Sequence, residues 1–413
     1  MAAVSINSDR LWARLADMAQ IGATAAGGCN RQALTDLDFQ GRELFERWCI
    51  NAGCTVERDA IGNVFVRRPG QDPDAAPVMS GSHLDTQPTG GKFDGVYGVL
   101  AALEVVETLN DHGIETTHPL EIVVWTNEEG SRFDCSMMGS AVWSGNWSLQ
   151  QALDLRDLDG VSVGDELQRL ALAGARPFSH TIKAAFELHI EQGPILEAQQ
   201  VPIGIVTGVQ HMCRYRMRFY GQECHAGPTP MNMRRDPMMS VGVFLNSVYA
   251  IADAHTPAGR TTFGYIHASP GSPNTVPGMV ELTLDVRHPD ADAYAAMQQA
   301  VEEAFDAAAV QFDTTPDRNR VWEAPGVQFD AQCIDHVRKG AERAGLPAME
   351  VVSGAGHDAC NISAVAPVSM IFVPCDGGLS HNEAENISHV QAADGANVLL
   401  HAMLSAAEQV SSA

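Results

Sequence analysis

Five short segments set histidines and carboxylates close together: GSHLDT (81–86), GGKFDG (90–95), TNEEGSRF (126–133), ELHIEQGP (187–194) and LSHNEAE (379–385). Neutral imidazole and carboxylate are the donors that hold divalent zinc, manganese or cobalt. A pair of such ions needs a carboxylate or hydroxide between them, at about 3.5–4 Å separation. The chain carries the parts: His83, His189 and His381 as imidazoles, Asp94 in a glycine-rich loop ahead of a helix as a bridging carboxylate, and Glu128 and Glu129 as adjacent acids. Asp85, two residues past His83, can orient a ligand from behind. Each part alone has an ordinary explanation. Histidines near strand ends are often structural, adjacent glutamates are often solvated, and aspartate beside glycine is a common turn residue. Five such segments, each at a strand or loop end, are hard to account for as plain surface.

The elements that must position them follow from hydrophobic spacing. Helices are predicted over 8–20, 40–53 and 95–110, and strands over 62–68, 77–83, 120–126 and 183–190. This alternation predicts an α/β fold, with a parallel or mixed sheet flanked by helices. Open sheets of this kind bind ligands at the carboxyl ends of their strands, where His83, Glu128, Glu129 and His189 fall.

The middle of the chain has another character. In RYRMRFY (214–220), Arg214, Arg216 and Arg218 share one face and Tyr215, Met217 and Phe219 the other. VELTLDVR (280–287) alternates in the same way, with Val280, Leu282, Leu284 and Val286 on the apolar face and Arg287 on the polar one. Helices fit 237–254 and 291–308. This is the pattern of a small α+β domain with a half-exposed antiparallel sheet. From about 325 the helix and strand alternation returns, with a helix at 328–344, a strand at 368–373 and a helix at 388–409. The reading is a catalytic domain in two pieces, 1–210 and 325–413, with a second domain, 211–324, inserted between them.

Composition narrows the class. The 413 residues carry a formal charge of -25, from 51 acidic against 26 basic residues. Such a surface repels phosphate backbones and anionic membranes, so neither nucleic acid nor membrane is expected as a partner. An anionic substrate needs a local basic pocket. The nine cysteines are scattered and odd in number, without a CxxC pair. With no apolar leader and no run of about 18 apolar residues, a cytoplasmic enzyme with reduced thiols is expected.

HLDTQPTGGKFDG, TNEEGSRF, HIEQGP, HAGPTPM, SGAGHDA and SHNEAE, in this order, resemble the amidase branch (hydantoinase/carbamoylase type) of the di-zinc aminoacylase/carboxypeptidase superfamily. The resemblance runs from about residue 10 to 410. That branch contains N-carbamoyl-L-amino acid hydrolases, β-ureidopropionases and allantoate amidohydrolases. HIEQGP discriminates best, because related peptidases commonly have a carboxylate where this branch has a histidine, here His189.

The resemblance implies a di-metal site in the two-piece domain and a lid or dimerisation role for the inserted one. It implies two divalent metal ions per subunit, zinc first and manganese or cobalt as alternatives. His83, Asp94, Glu129, His189 and His381 would be ligands, with Asp94 bridging. Glu128 would be the general base and His225 a stabiliser of the developing oxyanion, with Asp85 counted among the catalytic residues for orienting a ligand. Gln192, Arg214, His225, Asn274, Arg287 and the Gly356 backbone would contact a small carboxylate-bearing ureido substrate, with Arg287 as the carboxylate clamp. Homodimerisation through the inserted domain is implied, with His225 and Asn274 serving either protomer's site. The expected reaction is hydrolysis of an N-carbamoyl amino acid to the amino acid, carbon dioxide and ammonia. Allantoate hydrolysis is the nearest alternative and an aminoacylase or dipeptidase the next. A non-catalytic binding protein on this fold is disfavoured, since neither Glu128 nor any of the five donors is missing. The loop GVQHMC (208–213) departs most from the branch pattern.

Overall fold

Near-continuous apolar runs make strands that are covered on both faces. Val78–His83, Leu120–Trp125, Ala184–Ile190 and Val368–Val373 are buried at every position. They form the parallel centre of a mixed sheet, in the spatial order 120–125, 78–83, 184–190, 368–373. Antiparallel strands widen it. Val64–Arg68 and then Thr55–Arg58 extend one side, and Ile203–Val209 joins the other. The computed structural model describes residues 4–178 and 181–408.

Helix Val96–Asp111 starts where Asp94 ends its loop and is buried over most of its length. Its Val99, Leu103 and Val106 join Val398, Leu399 and Met403 of helix His389–Glu408 in one core with Val78, Ile122, Phe186 and Ile371 of the sheet. Two helix starts differ from the predicted ones, and capping explains both. The helix expected at 40–53 is Asp36–Asn51, because Thr35 accepts from the Asp38 amide. The helix expected at 328–344 is Ala331–Ala344, because the Asp330 side chain accepts from the Gln332 and Cys333 amides. Oxygen side chains in this role fix a helix start more firmly than apolar period does.

The chain divides into two compact units, Met1–Gly208 with Gln328–Ala413, and Val209–Val327. The second unit carries an antiparallel sheet in the order Thr315–Ala324, His211–Tyr220, Met279–His288, Arg260–Ser269. Tyr215, Met217 and Phe219, with Val280, Leu282, Leu284 and Val286, point into its core against Phe244 and Phe305 of helices Pro237–Ala254 and Ala291–Gln311. No helix among the described residues is long and apolar enough to cross a membrane.

Candidate metal centre

His83 is the last residue of its strand and is buried. Its Nδ1 lies 2.8 Å from the main-chain oxygen of Asp85. A carbonyl only accepts, so Nδ1 carries the proton and Nε2 is left with a lone pair. His189 is arranged alike, with Nδ1 donating to the Ile190 carbonyl at 2.9 Å. Two imidazoles are thus held in the tautomer that offers Nε2 to a cation.

Both Nε2 atoms face one oxygen of Asp94. His189 Nε2 is 3.0 Å and His83 Nε2 3.6 Å from Oδ1. The other oxygen, Oδ2, lies 3.5 Å from His381 Nε2, which is also 3.3 Å from Glu129 Oε2. Two donor groups therefore share Asp94: His83, Asp94 and His189, and Asp94, Glu129 and His381, each with its donor atoms within 4.8 Å of one another. A carboxylate offering one oxygen to each group is the arrangement a metal pair needs. The donor set is imidazole and carboxylate, which suits zinc, manganese or cobalt. Gly95, at φ 67°, starts the helix just after Asp94. A methyl there would overlap the His83 ring, so only glycine allows both the turn and the approach.

The adjacent glutamates divide between the two groups. Glu128 Oε2 lies 3.4 Å from His83 Nε2, and Glu129 turns toward His381. Their loop is bounded by left-handed Asn127 and Gly130, and the Asn127 amide donates to the Phe133 and Cys135 carbonyls at 3.2 and 3.0 Å. Asp85, expected among the catalytic residues, has another place. Its carboxylate accepts the main-chain N–H groups of Glu128 and Glu129 at 3.3 and 3.2 Å. It braces the acid loop with its side chain and His83 with its carbonyl, and is a positioning residue.

Charge follows burial and neighbours. Burial would push the Asp94 carboxyl up, but His189 and His83 hold it well below the usual carboxylate range. Burial pushes Glu128 well above that range; His83 opposes, while Asp358, Glu129 and Asp85 add to the rise. Such an acid is suited to carrying a proton near neutral pH. His381 is pushed up to about 9 by its hydrogen bond to Glu129.

Gln192, at φ 56°, donates its amide to Asp94 Oδ2 at 2.9 Å and to the Ser380 hydroxyl at 3.1 Å. Its Oε1 is buried and has no hydrogen-bond partner among the described residues. Gly356 is half-buried, and a methyl at that position would meet only the Met137 side chain.

The remaining expected contacts lie in the second unit and form two groups. His225 and Asn274 are joined by a short ladder: His225 pairs with Thr275, and the Ala226 amide donates to the Asn274 carbonyl at 2.9 Å. The Gly227 amide donates to His225 Nδ1 at 3.1 Å, so His225 presents Nε2–H as a donor. Arg214 and Arg287 meet at Asp285, with Nε atoms 3.3 and 2.6 Å from its carboxylate. Arg218, on the same polar face, bridges Glu281 and Asp317. His211, in the unfamiliar 208–213 loop, starts a strand and stacks on Tyr294 at 5.1 Å.

Residues 79–405 match the family described as Peptidase family M20/M25/M40. The chain belongs to this family. M20 members generally depend on two metal ions, and membership makes this chain a hydrolase of C–N bonds. It is 46% identical to an N-carbamoyl-L-amino-acid amidohydrolase of Rhizobium meliloti, over 98% of both chains. It is 33% identical to an allantoate amidohydrolase of Bacillus subtilis, over 92% of this chain and 93% of that one. A solved amidase of the hydantoinase/carbamoylase family from Burkholderia multivorans superimposes with a TM-score of 0.95 at 50% identity, covering 98% of this chain and 99% of that one.

Within this M20 site, sequence reasoning missed three supports. Gln87 gives its main-chain N–H to Glu129 Oε1 at 3.1 Å and its side-chain amide to Oε2 at 2.8 Å. The Ser380 hydroxyl reaches Asp94 Oδ2 at 2.8 Å. The His357 ring stands edge-on to His189 at 4.7 Å. All three lie in or beside quoted motifs, but uncharged and neighbouring residues there gave no signal of a ligand's partner.

Proposed function

We propose that this enzyme hydrolyses the ureido C–N bond of an N-carbamoyl-L-amino acid, releasing the amino acid, carbon dioxide and ammonia. The observation that carries the reading is the pair of donor groups sharing Asp94, with Glu128 beside them, in a chain whose 46%-identical relative bears that activity in its name. His83, Asp94 and His189 would hold one divalent ion and Asp94, Glu129 and His381 the other, zinc by preference. When bound, the ions supply Lewis acidity and lower the pKa of the attacking water.

The chain's own residues do the rest. Glu128, whose burial favours the protonated form, takes the proton of the attacking water and returns it to the leaving nitrogen. Gln192 Oε1, a buried acceptor without a partner among the described residues, takes an N–H of the ureido group. His225 donates through Nε2–H to the developing oxyanion, and the Gly356 amide and Asn274 side chain help orient the substrate. Arg287, with Arg214, binds the substrate carboxylate, and both exchange part of their contact with Asp285 for it. This local basic pair answers the need set by a net charge of -25.

The inserted unit forms a homodimer through the edge strand Arg260–Ser269 and helix Pro237–Ala254. These expose Tyr265, Ile266, Tyr249, Met238 and Met239, whereas the opposite edge, Thr315–Ala324, exposes Val321 and Trp322 among the charged Asp317, Arg318, Arg320 and Glu323. Charged edges resist pairing and apolar ones invite it. The nine unbridged cysteines suit a reducing cytoplasm.

Allantoate is the second reading. It is favoured by the Bacillus subtilis relative and by Arg214 standing beside Arg287. The test is ammonia release from N-carbamoyl-L-amino acids, N-carbamoyl-β-alanine and allantoate, each with zinc, manganese or cobalt added to chelated protein. Turnover of allantoate alone would overturn the leading reading, and turnover of none with any metal would overturn both.

A further inference from the structure

Glu385 closes the segment SHNEAE, four residues after His381, and is buried to 1% exposure. It reaches across to a different part of the chain. Its Oε1 accepts the main-chain N–H groups of Phe93 and Asp94, each at 3.0 Å. Its Oε2 lies 3.1 Å from the Ser380 hydroxyl, which is itself 2.8 Å from Asp94 Oδ2. Glu385 thus holds Asp94 directly at its peptide nitrogen. Its Oε2 shares with Asp94 Oδ2 the single proton of the Ser380 hydroxyl, which donates to one of the two carboxylates at a time. The GGKFDG loop is shaped to admit it, since a methyl at Gly91 would overlap the Glu385 carboxyl group. Charge-assisted bonds to two successive peptide N–H groups are strong and directional, and burial leaves Glu385 no water to exchange them for.

We propose that Glu385 is a positioning residue that sets the orientation of the shared carboxylate Asp94 relative to His381. It makes no contact with substrate in this role. A backbone dipeptide pinned at its nitrogens fixes where the Asp94 side chain leaves the loop, and the Ser380 hydroxyl fixes its rotation. Glu385 ties the loop that carries His381 to the main chain of the loop that carries Asp94, alongside the Ser380 contact with the Asp94 side chain, so the second donor group is assembled as a unit. The inference rests on the reading of Asp94 and His381 as metal ligands.

The test compares Glu385→Ala, Glu385→Gln and Gly91→Ala with the parent enzyme. The readouts are metal affinity, by titration of chelated protein with zinc against a chromophoric chelator, and kcat and KM on the best substrate. Glu385→Ala should weaken the second zinc equivalent and lower kcat, each by about 10- to 100-fold, the usual cost of losing a group behind a metal ligand. KM should stay near the parent value. Glu385→Gln keeps an oxygen for the two N–H groups and an amide for Ser380, so it should recover most of both. Gly91→Ala should reproduce the Glu385→Ala defect by displacing the carboxylate, and the double variant should be no worse than either single one, as expected of groups acting in one contact. Two zinc equivalents at parent affinity with unchanged kcat in Glu385→Ala would overturn the role of Glu385 alone. So would a Glu385→Gln as impaired as Glu385→Ala. A parent enzyme that binds fewer than two equivalents would overturn the ligand reading and this role with it. If Glu385→Ala does not fold, Gly91→Ala and Ser380→Ala carry the same comparison, and parent-like metal affinity in both would sink the proposal.

Discussion

The two donor groups that meet at Asp94 are built differently. Around His83 and His189 the chain closes completely: both rings are buried, both have Nδ1 committed to a main-chain carbonyl, and both sit at ends of central parallel strands. Around His381 it stays open. That side chain is 51% exposed, lies at φ 53° in a loop, and takes its place through the carboxylates of Glu129 and Asp94. One group belongs to the sheet and the other to loops laid over it. An ion in the first group would be held by buried donors, two of them at strand ends, and an ion in the second by two buried carboxylates and one imidazole that water can reach.

Substitution of the shared residue should have the largest effect. Asp94→Ala should remove both ions and all measurable turnover; a variant that keeps one tightly held ion would mean that the first group does not need the bridge. Glu128→Gln is next. It should lower kcat by about 10²- to 10⁴-fold while metal content stays at two equivalents, the signature of a lost general base. Arg287→Ala should leave metal binding untouched and raise KM by about 10- to 100-fold, the worth of one charged hydrogen-bonded pair. An unchanged KM would separate the arginine pair from the substrate carboxylate.

Two smaller effects probe the contrast itself. A chelator added in steps should take the ion of the Asp94–Glu129–His381 group first, and His381→Asn should abolish that early phase. Simultaneous loss would show that exposure of His381 does not set the order. After full chelation, pH should act through His381. Its folded pKa is raised to about 9 from an ordinary 6.5. A raised value means that the charged imidazole stabilises the fold fully below about 6.5, and that this support fades as pH climbs through 9. The stripped enzyme should therefore lose slightly more thermal stability between pH 7 and 10 than stripped His381→Asn, by at most about 2 °C given how exposed the group is.

Legibility in the sequence follows the same division. The central strands could be read because burial on both faces leaves unbroken apolar runs, and strand Met279–His288 because burial on one face alternates along it. The edge strand Thr315–Ala324 could not, since it is exposed at nearly every position and carries neither pattern. Ligand candidates stood out as histidines and acids at strand ends. Their supports did so only in part. Spacing offers Asp85 as a group behind a ligand, but not its hold on the amides of Glu128 and Glu129, and a list of residue types does not reveal Asp285 between Arg214 and Arg287.

The position of strand Val368–Val373 bears on how the enzyme is made. It lies between Ala184–Ile190 and Ile203–Val209 in the sheet, yet it is synthesised after the whole of Val209–Val327. On the ribosome, the first part of the catalytic unit must wait with a slot in its sheet, and His381 emerges later still. Until then two apolar strands lack their shared neighbour, a state open to mispairing with other chains. The second donor group is therefore completed among the last parts of the chain to be made.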